Sequence, residues 1–179
     1  MKIILRCIAL VSGIMMLAHA TEAQLHSWQS GGQQHTDKGQ HDHVDRRGDQ
    51  AMGFSHTKTT HHFRLKMDGG IIEVSANDAD DNASRDQIRR HLNHISHKFS
   101  AGDFSAPMFI HGQTPPGVET MKRLKSEIKY QYEELEHGAQ VRISSDNAEA
   151  VKAIHEFLRF QIQDHRTGDP VEVVKGSAN

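Results

Sequence analysis

Alternating hydrophobic and polar positions predict a β-hairpin near the middle of the chain. Every second residue between positions 61 and 67 is directed to the same side, which is the repeat of a strand. Asp68-Gly69-Gly70 favours a tight turn, because glycine supplies the positive φ that such turns need. Residues 71–76 are then predicted to return as the second strand.

A helical repeat of apolar residues follows the hairpin. Ser84-Arg85-Asp86-Gln87 matches a capping box, and the helix that it opens is predicted to end at Gly102. The apolar stripe of this helix consists of Ile88, Leu92, Ile95 and Phe99. Residues 103–117 contain three prolines and are predicted to be irregular.

The second half of the chain repeats this order of elements. A short helix over residues 118–125 precedes two alternating strands, at 128–132 and 141–143, with a turn at His137-Gly138. A capping-box pattern at residues 146–149 opens the last helix. Its predicted stripe consists of Val151, Ile154, Leu158 and Ile162.

Together these patterns predict an α+β fold. Two strand–turn–strand–helix units in tandem (ββαββα) make a two-layer sandwich, in which a four-stranded antiparallel sheet carries its helices on one face. The two units are candidates for an internal repeat. We expect the domain to span residues 56–169 and residues 170–179 to form a flexible tail.

The N-terminal residues have the pattern of an export signal. Lys2 and Arg6 precede an apolar run of about a dozen residues, and Ala18-His19-Ala20 has the form of a signal-peptidase site. The run is too short to span a bilayer comfortably, so we expect no stable membrane anchor after cleavage. The sequence therefore predicts a signal peptide at residues 1–23 and a periplasmic or secreted bacterial protein.

The segment after the signal, residues 24–55, is polar and rich in His, Gln and Gly. It has too few apolar side chains to offset its ordering entropy, so we expect a disordered linker. His35, His41 and His43 are interleaved with aspartates, a pattern typical of weak metal capture. A linker that only confers solubility is the alternative interpretation.

Composition excludes several classes of function. The chain has 21 Lys and Arg against 23 Asp and Glu, a net charge of -2, whereas nucleic acid requires a basic surface. The single cysteine, Cys7, lies in the predicted signal peptide, which leaves no thiol for a disulfide or a cysteine metal site. No glycine-rich phosphate loop precedes a helix, so no nucleotide or organic cofactor is indicated.

The unusual feature is the number of histidines, 15 in all, of which four are predicted to face the core. These four are His61, His91, His111 and His155. His61 shares a strand face with apolar residues, and His111 lies in the irregular loop. His91 and His155 adjoin the apolar stripes of the two long helices. Converging imidazoles could hold zinc or copper. His165 and Asp103 are secondary candidates, whereas His94 and His97 are predicted to face solvent.

Several short motifs lie between residues 52 and 169. They are Met52-Gly53-Phe54, Thr59-Thr60-His61-His62-Phe63, Ile88-Arg89-Arg90-His91-Leu92, Gly102-Asp103-Phe104, Ile110-His111-Gly112, His155-Glu156-Phe157 and Asp164-His165. With these motifs the chain resembles a family of small histidine-rich bacterial proteins, some of which carry the label aspartate carbamoyltransferase. Carbamoyltransferases are two-domain enzymes with Ser-Thr-Arg-Thr and His-Pro motifs, and neither motif occurs here. The resemblance therefore implies no such activity, but it places the four core histidines and His165 within the motifs of the family.

Three functions are compatible with these residues. The leading prediction is an exported binding protein for a divalent metal ion, zinc or copper. The alternatives are a small enzyme that uses the same histidines with Asp103 as carboxylate partner, and a metal-free, pH-responsive binding domain. Phe157 and Phe160 flank the apolar stripe of the last helix, where they could either widen its contact with the core or form a dimer patch, so a protein partner or a homodimer is a further option.

Overall fold

An antiparallel sheet forms one layer of the domain in the computed structural model, which describes residues 43–173. Its strands are β1 (Thr59–Lys66), β2 (Gly69–Ala76), β3 (Lys129–Leu135) and β4 (Gly138–Ser144). Their spatial order is β1-β2-β4-β3, so the second strand of each hairpin lies at the centre. All neighbouring strands are antiparallel, as the alternating patterns predicted.

The helices form the second layer. They are α1 (residues 43–52), α2 (Asn82–Ser100), α3 (Ser105–His111), α4 (Val118–Arg123) and α5 (Ala148–Asp164), with short 3₁₀ turns at His56–Lys58 and Lys125–Glu127. Helix α2 packs mainly on β4 and β3, whereas α5 packs on β1 and β2. Each long helix therefore covers the hairpin of the other half. The predicted α+β fold is confirmed; the internal repeat stays a prediction.

The register of the sheet brings the apolar positions of neighbouring strands onto the face that the helices cover. Phe63 pairs with Ile72, and Ile72 pairs in turn with Val141. All three side chains are buried. Removing this apolar surface from water is the main driving force for joining the sheet and the helices.

Both long helices begin at a side-chain cap. The Asp81 carboxylate accepts a hydrogen bond from the backbone N–H of Ser84 at 3.0 Å. Helix α2 therefore starts earlier than the predicted capping box, because aspartate is itself a preferred N-cap residue. At α5 the Asn147 side chain accepts from the backbone N–H of Glu149 at 2.8 Å.

Two glycines allow α5 to approach its neighbours closely. A Cβ atom at Gly70 would lie 2.2 Å from the Leu158 side chain and 2.6 Å from the backbone oxygen of Arg64, so only glycine fits beneath α5 there. At Gly117, whose φ is +82°, a Cβ would lie 2.1 Å from the backbone oxygen of Ala153. Any larger residue would push α5 away from the sheet or from α4.

Two predictions about local structure were wrong. The stretch predicted to be irregular contains α3, which tolerates Pro107 because the residue lies in the first helical turn. This helix ends at Gly112 in the left-handed conformation. The alternation after residue 61 does not extend to Met67, whose side chain is 79 % exposed, because β1 ends at Lys66 and the turn follows.

Part of the predicted disordered linker is the helix α1. Val44 is buried there, and the Arg47 Nε donates a hydrogen bond to the Ile110 backbone oxygen at 2.6 Å. A segment with little apolar surface is thus ordered by contacts with the rest of the domain. His43 is exposed, with its Nδ1 2.7 Å from an Arg46 guanidinium nitrogen. The predicted signal peptide and the remaining linker histidines, His35 and His41, lie outside the described residues.

The first residues of the predicted flexible tail contact the domain. The Arg159 Nε donates to the Val171 backbone oxygen at 2.9 Å, and Val173 packs against the core. Just before the tail, the Asp169 carboxylate accepts from the backbone N–H of Phe63 at 2.9 Å. Residues 174–179 lie outside the described part. Within residues 43–173, no helix is long and apolar enough to cross a membrane.

Candidate functional site: a histidine-lined pocket

A pocket of about 70 Å³ lies between the sheet and the helices. Most of its wall is apolar, and the polar side chains that reach it are four imidazoles and one amide. The apolar lining residues are Met52, Phe63, Ile72, Val74, Leu92, Ile95, Phe99, Ala106, Pro107, Ile110 and Phe157, and the polar ones are His61, His91, His111, His165 and Gln161. The strands β1 and β2 and the helices α1, α2, α3 and α5 all contribute to it.

Three of the four imidazoles form a chain of ring contacts. The ring centroids of His61 and His165 are 6.0 Å apart with parallel planes. Those of His165 and His111 are 5.1 Å apart and nearly perpendicular. The fourth imidazole, His91, meets the ring of Phe54 edge-on at 5.7 Å. The sequence predicted three of these four residues as a cluster and named His165 as secondary.

Burial controls the charge of two of these imidazoles. It lowers the pKa of His61 to about 4, with a smaller contribution from the neighbouring His62. It also lowers the pKa of His91 to about 4, assisted by repulsion from His61. Both rings are therefore uncharged at neutral pH, and each presents one donor and one acceptor nitrogen.

The His111 ring uses both of its nitrogens within α5. Its side chain is 1 % exposed, and its Nδ1 lies 2.6 Å from the Asp164 carboxylate. Its Nε2 lies 2.9 Å from the Gln161 side-chain oxygen. Because a carboxylate accepts, the ring donates its Nδ1–H to Asp164, and this bond fixes the orientation of the imidazole.

The other end of the Gln161 amide is unpartnered. Gln161 is 4 % exposed, and its Nε2 has no hydrogen-bond partner among the residues that the structure describes. The residue lines the pocket, whose wall beside it is mostly apolar. A buried polar group without a partner is rare in folded proteins and destabilises them.

A second, more polar pocket of about 220 Å³ adjoins the first. The two share Met52, His61 and His165 in their walls. Helix α1 supplies Val44 and Asp45 to the outer pocket. The segment predicted to be a linker therefore forms part of the wall beside the histidines.

Two of the predicted ligands lie elsewhere. His155 does not line the pocket; its Nε2 donates a hydrogen bond to the Lys66 backbone oxygen at 2.8 Å. Asp103 forms an ion pair with Lys98 at 2.7 Å, and this bond holds the pKa of the carboxyl well below its usual range. The carboxylate that meets the core histidine His111 is Asp164, which the sequence patterns placed in a motif but not among the candidate site residues.

The predicted four-histidine metal centre is therefore not assembled as expected. Within residues 43–173, no three His, Asp or Glu side chains are arranged so that they could hold one metal ion. The solvent-facing positions were predicted correctly, since His94 and His97 are both exposed.

Comparison with known proteins adds no relative: no protein-family model, curated protein or solved structure matches the chain. The resemblance to a histidine-rich bacterial family stays a prediction.

The position of Gln161 in the sequence could have indicated that its side-chain amide is buried. Gln161 lies seven residues after Ile154 and three after Leu158, so it falls on the apolar stripe of α5. A polar residue on such a stripe is informative, because it must find a partner inside the protein. The sequence cannot name that partner, since His111 is 50 positions away.

Proposed function

We propose that the domain is a binding protein for a small, uncharged ligand, which occupies the histidine-lined pocket. The observation that carries this proposal is the Gln161 amide, which is buried, lines the pocket and has an Nε2 without a partner among the described residues. Leaving such a group unbonded costs about 1–3 kcal/mol. A ligand that supplies the missing hydrogen bond recovers this free energy on binding.

The lining of the pocket limits the chemistry of the ligand. Most of the wall is apolar, and His61 and His91 are uncharged at neutral pH. An ion that entered would lose its hydration without gaining a counter-charge from these rings. At about 70 Å³, the pocket is smaller than a cavity of about 150 Å³ that holds benzene, so the ligand must be smaller than a six-membered ring.

Furan and pyrrole are suitable probes, because each has five heavy atoms and no charge, and furan has an oxygen that can accept a hydrogen bond from the Gln161 Nε2. Titration of the ¹⁵N-labelled protein, followed by amide chemical shifts, should give saturable shifts at residues that line the pocket. For so small a ligand we expect a Kd of about 1 mM, near 0.8 kcal/mol per heavy atom.

A pocket-filling variant is the control for the location of binding. Ala106 lines the pocket, so Ala106→Leu should abolish the shifts. Ala148→Leu, at an exposed position at the start of α5, should leave them unchanged. The proposal is wrong if neither probe binds the wild type, or if Ala106→Leu binds both as well as the wild type does.

A metal ion is the second candidate, and the contact between imidazoles favours it. His61, His91 and His165 all line the pocket, and two of the three are neutral at pH 7, the form that binds metals. Side-chain rotation would be needed before three of these nitrogens could share one zinc or copper ion. This candidate omits His111 and His155 from the predicted ligand set and adds His165.

Calorimetric titration with Zn²⁺ and Cu²⁺ tests the second candidate. One ion should bind per chain, and His91→Ala should weaken it at least tenfold, since one of three ligands is lost. His155→Ala is the matched control and should leave the affinity unchanged, because its ring bonds to Lys66. Equal affinity in wild type and His91→Ala would place any bound ion elsewhere.

Export to the periplasm or outside the cell is part of the proposal and depends on residues 1–23. N-terminal sequencing of the protein recovered from a bacterial host tests it. We expect the mature chain to begin after Ala20 or Ala23, within the predicted small-residue cleavage region. An unprocessed N-terminus would contradict the predicted signal peptide.

A further inference from the structure

Three polar side chains that line the outer pocket can act only as hydrogen-bond acceptors. One is the carboxylate of Asp45 on α1, and an ionised carboxylate has no proton to donate. The Thr59 hydroxyl donates its proton to the Ser55 backbone oxygen at 3.2 Å. The Thr167 hydroxyl donates its proton to the Asp169 carboxylate at 2.7 Å. Each hydroxyl oxygen retains at least one lone pair, so these groups suit a ligand that donates hydrogen bonds.

The charge of the outer pocket favours a cation. Among the described residues that line it, Asp45 is the only carboxylate and none is a lysine or an arginine. The His56 Nε2 lies 3.8 Å from the Asp45 carboxylate, which is beyond the length of a hydrogen bond. The Nδ1 of the same ring lies 3.0 Å from Asp49 instead. The Asp45 side chain is 43 % exposed, so a cation beside it would keep part of its hydration.

The outer pocket is adjacent to the histidine-lined inner pocket. Met52, His61 and His165 belong to the walls of both. The inner pocket, of about 70 Å³ and mostly apolar, suits an uncharged ring, whereas the outer pocket, of about 220 Å³, has room for a polar substituent of that ring. A ligand that extends across the shared wall can therefore bury an apolar ring at one end and keep a charged group near solvent at the other.

We propose that the outer pocket is a subsite for a primary ammonium group, so that the ligand of this domain is a small amine whose uncharged ring occupies the inner pocket. An ammonium group has three N–H donors and a positive charge. The donors match the oxygens of Thr59 and Thr167, and the charge matches the carboxylate of Asp45. This inference rests on the proposed function, because it assumes that the inner pocket binds the ring.

Furan derivatives test the subsite, because they share one ring and differ in the charge of the substituent. At neutral pH furfurylamine is a cation, furfuryl alcohol is uncharged and 2-furoate is an anion. An ion pair with a partly exposed carboxylate corresponds to about a two- to fivefold change in Kd. We expect furfurylamine to bind more tightly than the alcohol by this factor, and 2-furoate to bind more weakly than the alcohol. The amine and alcohol with one more methylene group form a second pair with a longer reach.

Two variants with the same change of net charge locate the effect. Asp45→Asn keeps the shape of the side chain and removes its charge, so the preference for the amine over the alcohol should disappear. Unsubstituted furan should bind this variant as it binds the wild type, because the inner pocket is unchanged. Asp86→Asn is the matched control and should retain the preference, since Asp86 lies on α2, outside the lining of the outer pocket, with its side chain 49 % exposed.

The dissociation constants, measured from amide chemical shifts at neutral pH, separate this inference from the proposed function. If furan binds the wild type but neither amine binds more tightly than its alcohol, the inner pocket binds a ring and the ammonium subsite is wrong. The subsite is also wrong if Asp45→Asn keeps the preference, or if 2-furoate binds as tightly as furfurylamine. If neither furan nor pyrrole binds the wild type, the proposed function fails, and the inference fails with it.

Discussion

Acid should destabilise the domain through two partly buried imidazoles. The pKa of His61 and that of His91 are each lowered from 6.5 to about 4, mainly by burial. In this range the unfolded chain binds protons at both rings and the folded chain does not. The free energy of unfolding therefore keeps its full value above about pH 6.5 and decreases as the pH falls toward 4.

The size of the effect follows from the two pKa values. Between pH 7 and pH 5, a shift from 6.5 to about 4 corresponds to about 2 kcal/mol per ring, and partial solvent exposure reduces this to about 1–2 kcal/mol. The two rings together should lower the free energy of unfolding by about 2–4 kcal/mol. That loss is a large fraction of the stability of a typical domain, which is about 5–15 kcal/mol.

Urea unfolding at pH 7 and pH 5 measures this difference by linear extrapolation. His91→Gln, which cannot take up a proton, should reduce the pH dependence by about half. His94→Gln, at an exposed position on the same helix, is the matched control and should leave it unchanged. Carboxylates such as Asp103, whose pKa is lowered by Lys98, contribute only at more acidic pH. An equal free energy of unfolding at pH 5 and pH 7 would refute the reasoning.

Three further predictions concern packing and order. Gly117→Ala should lower the free energy of unfolding, measured in urea titrations, by about 3 kcal/mol or more. The reason is that the new Cβ would meet the Ala153 backbone at a residue with a positive φ. A loss under 1 kcal/mol would contradict the close approach. Tyr130→Phe should raise the melting temperature, since its buried hydroxyl has no partner among the described residues and removing it saves about 1 kcal/mol. Arg47→Ala should speed hydrogen exchange in residues 43–52 while the sheet stays protected, because the bond to Ile110 is lost; unchanged exchange would show that this bond does not hold α1.

The apolar periodicity was sufficient to predict the layers of the fold. The alternation in the two hairpins repeats every two residues, and the apolar stripe of α2 repeats every 3.6 residues. Both repeats can be recognised from nearby positions in the chain. The same phases correctly separated the exposed His94 from the partly buried His91. They also predicted that His61 would reach the interior.

Local sequence patterns did not predict the helices α1 and α3, and α1 is ordered by contacts with distant parts of the chain. The polar segment 43–52 has no helical stripe, yet it is ordered because Val44 is buried and Arg47 bonds to Ile110. Helix α3 forms despite its proline, since the residue occupies the first turn, where its missing N–H has no helical partner in any case.

What the sequence alone determined is the four strands, the two long helices and the inward direction of His61 and His91, because these properties repeat along the chain. What only the tertiary structure decided is which inward residues meet. The sequence patterns placed His155 among the four core histidines and His165 second to them, but only His165 reaches the pocket, whereas His155 bonds to Lys66. The partnership of His111 with Gln161 and Asp164 joins positions 50 or more residues apart. Such contacts depend on how the helices pack on the sheet, which no local repeat encodes.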